Sequence, residues 1–142
     1  MQPTAPLHAR VADWPQRFGD LVAQRLTVPF VWGSNDCAAW VADAVAAQHG
    51  HDTLAELRGT RRNWREAKRQ IKRGGGYAAA MARAGLPSVA PALAQRGDVV
   101  LLLQPDGPQA LLAVCNGVAA MCPSHQGLVA APMAHAVAAW RV

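Results

Sequence analysis

Cysteine is scarce in this sequence, long apolar runs are absent, and neither internal repeats nor low-complexity linkers occur. The three cysteines, Cys37, Cys115 and Cys122, are odd in number, which argues against a disulfide framework and leads us to expect free thiols in a reducing compartment. No apolar stretch approaches the roughly 20 residues of a membrane span. The opening "MQPTAPLHARVADWPQRFGD" places charges and prolines where a signal peptide needs an apolar core, so the expectation is a soluble protein made in the cytoplasm. With 142 residues the chain suits one domain able to bury roughly two-thirds of its unfolded surface. Residues 1–12 are expected to form a flexible arm.

What is present divides into two halves. Trp14-Pro15 and the helical spacing of Phe18, Leu21, Val22 and Leu26 predict a first helix, capped by Asp13 and stopped by Pro29. A second helix is predicted from Asp36 to His49, burying Trp40, Val41, Ala44 and Val45 and ending at Gly50. Thr53 and Glu56 suggest a short capped turn. A third helix is predicted over Thr60–Arg73, with Trp64, Ala67 and Ile71 on one seam, and "YAAAMARAG" forms a fourth. Pro87 and Pro91 then mark an irregular link.

Beyond it the period changes. "DVVLLL" (98–103), "ALLAVC" (110–115), "VAAMC" (118–122) and "GLVAA" (127–131) read as strands separated by "QPDGP", Asn116-Gly117 and "PSHQG", with Asn-Gly a hairpin signal. The predicted class is α+β, helices packed on a C-terminal antiparallel meander, both of whose faces are covered, one of them by the second helix.

Cys37 stands in the first turn of the second helix. Unpaired N–H groups and the helix dipole favour a thiolate there, which is one of the two requirements of a nucleophile; the other is a base, usually histidine. The competing reading is a small packed residue, since cysteine is among the most buried types. "FVWGSNDCAAWVADAV", "RGDVVLL", "LLAVCNG" and the final "AAWRV" resemble a phage- and prophage-encoded family related to the NlpC-type papain-like cell-wall peptidases. The resemblance implies a papain-like fold in which Cys37 opens a helix packed on the sheet. It also implies a catalytic histidine at the start of the strand after "RGDVVLL". That position is Leu111, which cannot accept a proton. Relatives of this kind cleave peptides in peptidoglycan, and those of phage tail modules act at the tail tip.

The expectation is therefore a virion tail-tip or baseplate component with a degenerate cysteine-peptidase-like domain, whose partners are other tail proteins. The alternative is an active hydrolase on peptidoglycan, with Cys37 as nucleophile and His125, in the turn after the third strand, as substitute base. His49 and His51 lie roughly 18 Å away along the helix at about 1.5 Å per residue. His8 falls in the expected arm and His135 near the C-terminus. No cofactor is expected. Nor is a metal: Cys115 and Cys122 lack the C-x-x-C spacing of structural zinc sites, and a hairpin can turn them to opposite faces.

Eight of the fourteen basic residues fall between Arg58 and Arg73, beside a single acid, Glu66. Arg58, Arg61, Arg62, Arg65, Lys68, Arg69 and Lys72 are candidate partner contacts. Nucleic acid is not the expected partner, because the stripe has no interleaved exposed aromatics and no groove-reading motif. An acidic neighbouring subunit suits it better.

Overall fold

A computed structural model describes residues 8–103 and 110–142. The turn "QPDGP" and the first seven residues of the expected arm lie outside the described residues. The rest of that arm is tied down: Val11 N–H donates to the Gln48 carbonyl at 2.8 Å, and the Arg10 guanidinium donates to Gln48 Oε1 at 2.9 Å and stacks over Trp14.

Helix α1 (Trp14–Arg25) starts at Asp13 with Pro15 in its first turn, although the Asp13 carboxylate takes Arg17 instead of capping. Helix α2 (Cys37–His49) begins and ends where its signals stand. The Asp36 side chain accepts from Ala39 N–H, and Gly50 closes the helix in the left-handed region at φ 76°. Apart from Asp43, Gln48 and His49 it is apolar, and it is buried on most sides, as such a helix must be. Its one interior amide, Gln48, donates to the Ala44 and Gly97 carbonyls.

Helix α3 (Trp64–Arg73) starts four residues later than predicted, because Asn63 caps it by accepting from Glu66 N–H at 3.0 Å. Helix α4 is Tyr77–Arg83. The capped turn expected at Thr53 does not form: Thr53 Oγ1 meets His49 Nδ1 at 2.6 Å, Glu56 pairs with Arg83, and Ala55–Leu57 is an uncapped 3-10 turn.

The class is α+β. The strands β1 (Ser88–Val89), β2 (Val99–Leu103), β3 (Ala110–Cys115), β4 (Ala119–Ser124), β5 (Gly127–Pro132) and β6 (Ala136–Trp140) make one antiparallel sheet. Its order is β1-β6-β2-β3-β4-β5, so the meander holds from β2 to β5 and then breaks. β6, not foreseen, inserts between β1 and β2, with Trp140 opposite both Ser88 and Val99. Asn116 heads the β3–β4 turn, its Oδ1 accepting from the N–H groups of Val118 and Ala119. The central pair is thus Gly117-Val118 rather than Asn-Gly.

Alternation along β2–β4 feeds two apolar clusters. Val99, Leu112, Val114 and Met121 join α2, while Val100, Leu102, Ala113, Cys115, Ala120 and Cys122 form the second. Both sheet faces are covered, as expected, and Cys115 and Cys122 share a face rather than opposing one another. Trp40 locks α2 to the sheet by donating its indole N–H to the Met121 carbonyl at 3.0 Å.

At the far end of α2, His8, His49 and His51 stand with ring centroids 4.9–5.7 Å apart. Burial, then the neighbouring His8, His51 and Arg10, lowers the pKa of His49 to about 4. An unfolded histidine titrates near 6.5. Between those values the unfolded chain takes up a proton that the folded chain refuses, so stability should fall as pH drops from about 6.5 to 4. The slope is at most about 1.4 kcal/mol per pH unit. Urea melts across this range should show it, and His49→Gln should flatten it.

Candidate functional site

The segment before α2 is built to hold Asp36 and Cys37 in place. Asn35 is buried and donates to the Val28 and Pro29 carbonyls while accepting from Arg25. Gly33, at φ 83°, takes a conformation that residues with a Cβ avoid and turns its N–H onto Asp36 Oδ2 at 2.9 Å.

Asp36 is also gripped by Arg61, whose Nε and Nη2 each donate to the carboxylate at 2.8 Å. The remaining guanidinium nitrogen, Nη1, donates to the Leu57 carbonyl and Gln70 Oε1, so a fully buried ion pair is satisfied on both sides. Burial alone would push the Asp36 carboxyl up. The bonds from Arg61, Ala39 and Gly33 outweigh it and hold the pKa below the usual carboxylate value.

Cys37 is the first residue of α2, as predicted, but its thiol does not behave as an exposed helix terminus would make it. Burial raises its pKa far above the ordinary thiol value, helped by Cys122 and the Asp36 carboxylate. Its own backbone N–H and Arg61 pull the other way and lose. At neutral pH the group is a thiol, not a thiolate. Beside it, burial pushes the Tyr77 hydroxyl up to about 12. The gap between Cys37, Tyr77, Trp64 and Arg61 is about 20 Å³, room for one water.

Outward from the sulfur opens a cleft of about 530 Å³, within the size range of ligand pockets, roughly 300–1,000 Å³. Phe30 and Trp32 form one wall, Trp64 another, and Leu111, Pro123, Ser124 and His125 the rest. The aromatic walls brace one another edge to face: Phe30 on Trp32 at 4.7 Å, and Trp32 on Trp64 at 5.2 Å. Cys37, Leu111 and His125 are thus brought to one place. Yet His125 is an exposed turn residue resting against Phe30, with ring centroids 6.4 Å apart. Among the described residues no imidazole makes a hydrogen bond to Cys37 Sγ. His135 lies in a separate 3-10 turn, Met133–His135, and His8, His49 and His51 at the opposite end of α2.

A family model matches residues 9–142, from before α1 to the end of β6. The chain belongs to the family described as a domain of unknown function, DUF6950. No curated protein shows significant similarity to it.

In this DUF6950 chain the basic stripe is less uniform than its sequence. Arg61 precedes α3 and points inward to Asp36, so it leaves the exposed face to which it was assigned. Arg58 is occupied by Asp43 and Asp52, and Arg62 by Glu66. Arg65, Lys68, Arg69 and Lys72 are exposed, as is Arg73, which was not singled out. No group of three or more His, Cys, Asp or Glu side chains suited to a metal occurs among the described residues.

Sequence reasoning missed the Asp36–Arg61 pair and the role of Tyr77. Asp36 carried a visible signal as the helix cap; nothing local marked Arg61 off from its basic neighbours.

Proposed function

We propose that this is a papain-like domain of NlpC type whose catalytic site is degenerate, and that it serves as a phage or prophage tail-tip or baseplate component acting by binding its neighbours. The observation that carries the non-catalytic reading is the pairing across the cleft: a half-buried Cys37 thiol, kept protonated by desolvation, faces a site whose expected base position is Leu111. Hydrolysis through such a cysteine needs a thiolate and a proton acceptor, and the cleft supplies neither in the usual place. The virion setting rests on the resemblance of "FVWGSNDCAAWVADAV" and the strands that follow.

A second reading is an active peptidoglycan hydrolase, and the fact favouring it is that His125 lines the same cleft as Cys37. In that case movement of the β4–β5 turn would bring the imidazole to the sulfur, and backbone N–H groups at the head of α2 would hold the oxyanion.

Purified particles from a host carrying the gene test the assembly role. The chain should be found by mass spectrometry in intact tails, and charge reversal at Lys68 and Lys72 should deplete it. Absence of the wild-type chain from particles would contradict the proposal.

A further inference from the structure

Next to the Cys37 cleft, sharing Trp64 with it and bounded also by Ala110, lies a second groove of about 220 Å³. Its floor is apolar, formed by Trp64, Ala67, Ile71 and Tyr77, and the exposed Lys68 and Lys72 stand at its rim. The volume falls below the roughly 300–1,000 Å³ of pockets that enclose a whole small molecule, and suits an anchoring side chain.

The charges around it are unbalanced in a particular way. Among the described residues every acid except Asp20 is already in an ion pair, and the ninth acid, Asp106, lies outside them. No described ion pair includes Arg65, Lys68, Arg69, Lys72 or Arg73, all on α3. Three like-charged pairs at four-residue spacing result: 65 with 69, 68 with 72, and 69 with 73. Each destabilises a helix by about 0.2–0.5 kcal/mol. Among the described residues this face is left repulsive, and an outside anion would relieve it.

We infer that this groove docks an acidic segment of a second protein, an apolar side chain of the segment seated against Trp64, Ile71 and Tyr77 and its carboxylates paired with Lys68 and Lys72. The two lysines are about 6 Å apart along the helix axis, at 1.5 Å per residue. Carboxylates four residues apart on a helix, or two apart on a strand at about 3.3 Å per residue, match that separation. A second copy of this chain fits poorly, since its formal net charge is +5. Nucleic acid fits poorly too, because the floor between the cations is apolar and Trp64, the one aromatic of α3, is packed against Trp32. The inference rests on the reading above that the domain works through protein partners, and names the chemistry of one of them.

The test is to pan a phage-displayed random peptide library on the full chain, synthesise the enriched peptides, and measure binding by fluorescence anisotropy at physiological salt. Enriched peptides should carry Asp or Glu beside an aliphatic or aromatic residue. Lys68→Glu with Lys72→Glu should weaken their binding about tenfold or more. Arg69→Glu with Arg73→Glu makes the same charge change on the face turned toward Gly59 and Thr60, and should weaken binding several-fold less, because those charges are farther from the groove and attenuated over about 8 Å.

Melting curves of both variants check that the fold is kept, as expected for exposed side chains. No acidic selection, equal loss in both variants, or tighter binding of a single-stranded oligonucleotide than of any selected peptide would overturn the inference. Peptidoglycan hydrolysis by the chain would instead remove the non-catalytic reading while acidic selection at the groove stood.

Discussion

Replacing Arg61 by methionine is expected to destabilise the fold by about 3–5 kcal/mol, the range for breaking a buried ion pair by removing one partner. For a chain of this size that is a melting-temperature drop on the order of 10 °C. The reason is the Asp36 carboxylate. With Arg61 gone it stays buried at the head of α2, bonded to the Gly33 and Ala39 N–H groups but without a counter-charge.

Arg61→Lys should fall between, since an ammonium cannot reproduce the two parallel bonds to the carboxylate. Asp36→Asn keeps a good helix cap. Combined with Arg61→Met it should cost less than the two single changes together, because the unpaired charge is no longer present. Denaturant melts of the wild type and these four variants measure this. A loss under about 1 kcal/mol for Arg61→Met would show that the pair is a surface feature.

Alkylation of Cys37 by iodoacetamide is expected to be at least about 100-fold slower in the folded chain than in urea at neutral pH, because each unit of raised pKa lowers the thiolate fraction tenfold. The physical contest is between the head of α2, which favours the anion, and burial with Cys122 and Asp36 nearby, which opposes it; burial wins. The pH profile separates the outcomes. A raised thiol gives a rate that keeps climbing through pH 9, whereas an activated nucleophile gives a fast rate already level near pH 7. Peptide mass spectrometry reads Cys37 apart from the buried Cys115 and Cys122. The same raised pKa makes stability decline above about pH 8.5, where the unfolded thiol ionises and the folded one does not.

Much of the architecture is legible where a strong local signal stands alone. Asp36 and Gly50 bound α2 to within one residue, and the apolar runs after Arg96 locate β2 to β5. Misreadings arise where signals compete or tertiary pairing decides. Thr60 and Asn63 are both plausible caps, and Asn63 takes the helix start. Thr53 and Glu56 have the capping spacing but find His49 and Arg83 instead. The segment of β6, "AVAAW", has the composition of a helix, and only β1 and β2 on either side make it a strand.

The site shows the same division. The resemblance alone matches Leu111 to the base position, and Leu111 lines the cleft with Cys37; His125 lines it too, as an exposed turn residue. Which of the two readings of Cys37 holds stays open in the sequence, because the raised pKa of its thiol depends on packing with Cys122 and Tyr77, distant along the chain. The inward turn of Arg61 has no local signal either, its partner lying twenty-five residues away.

The proposed binding role requires that the cleft around Cys37 carry no hydrolytic chemistry. Incubation of purified peptidoglycan with the wild-type chain and with Cys37→Ala, followed by chromatography of the released fragments, tests it most directly. The two proteins should release the same background. Fragments released by the wild type and not by Cys37→Ala would contradict the claim and place His125, or a rearranged cleft, at the centre of a working enzyme.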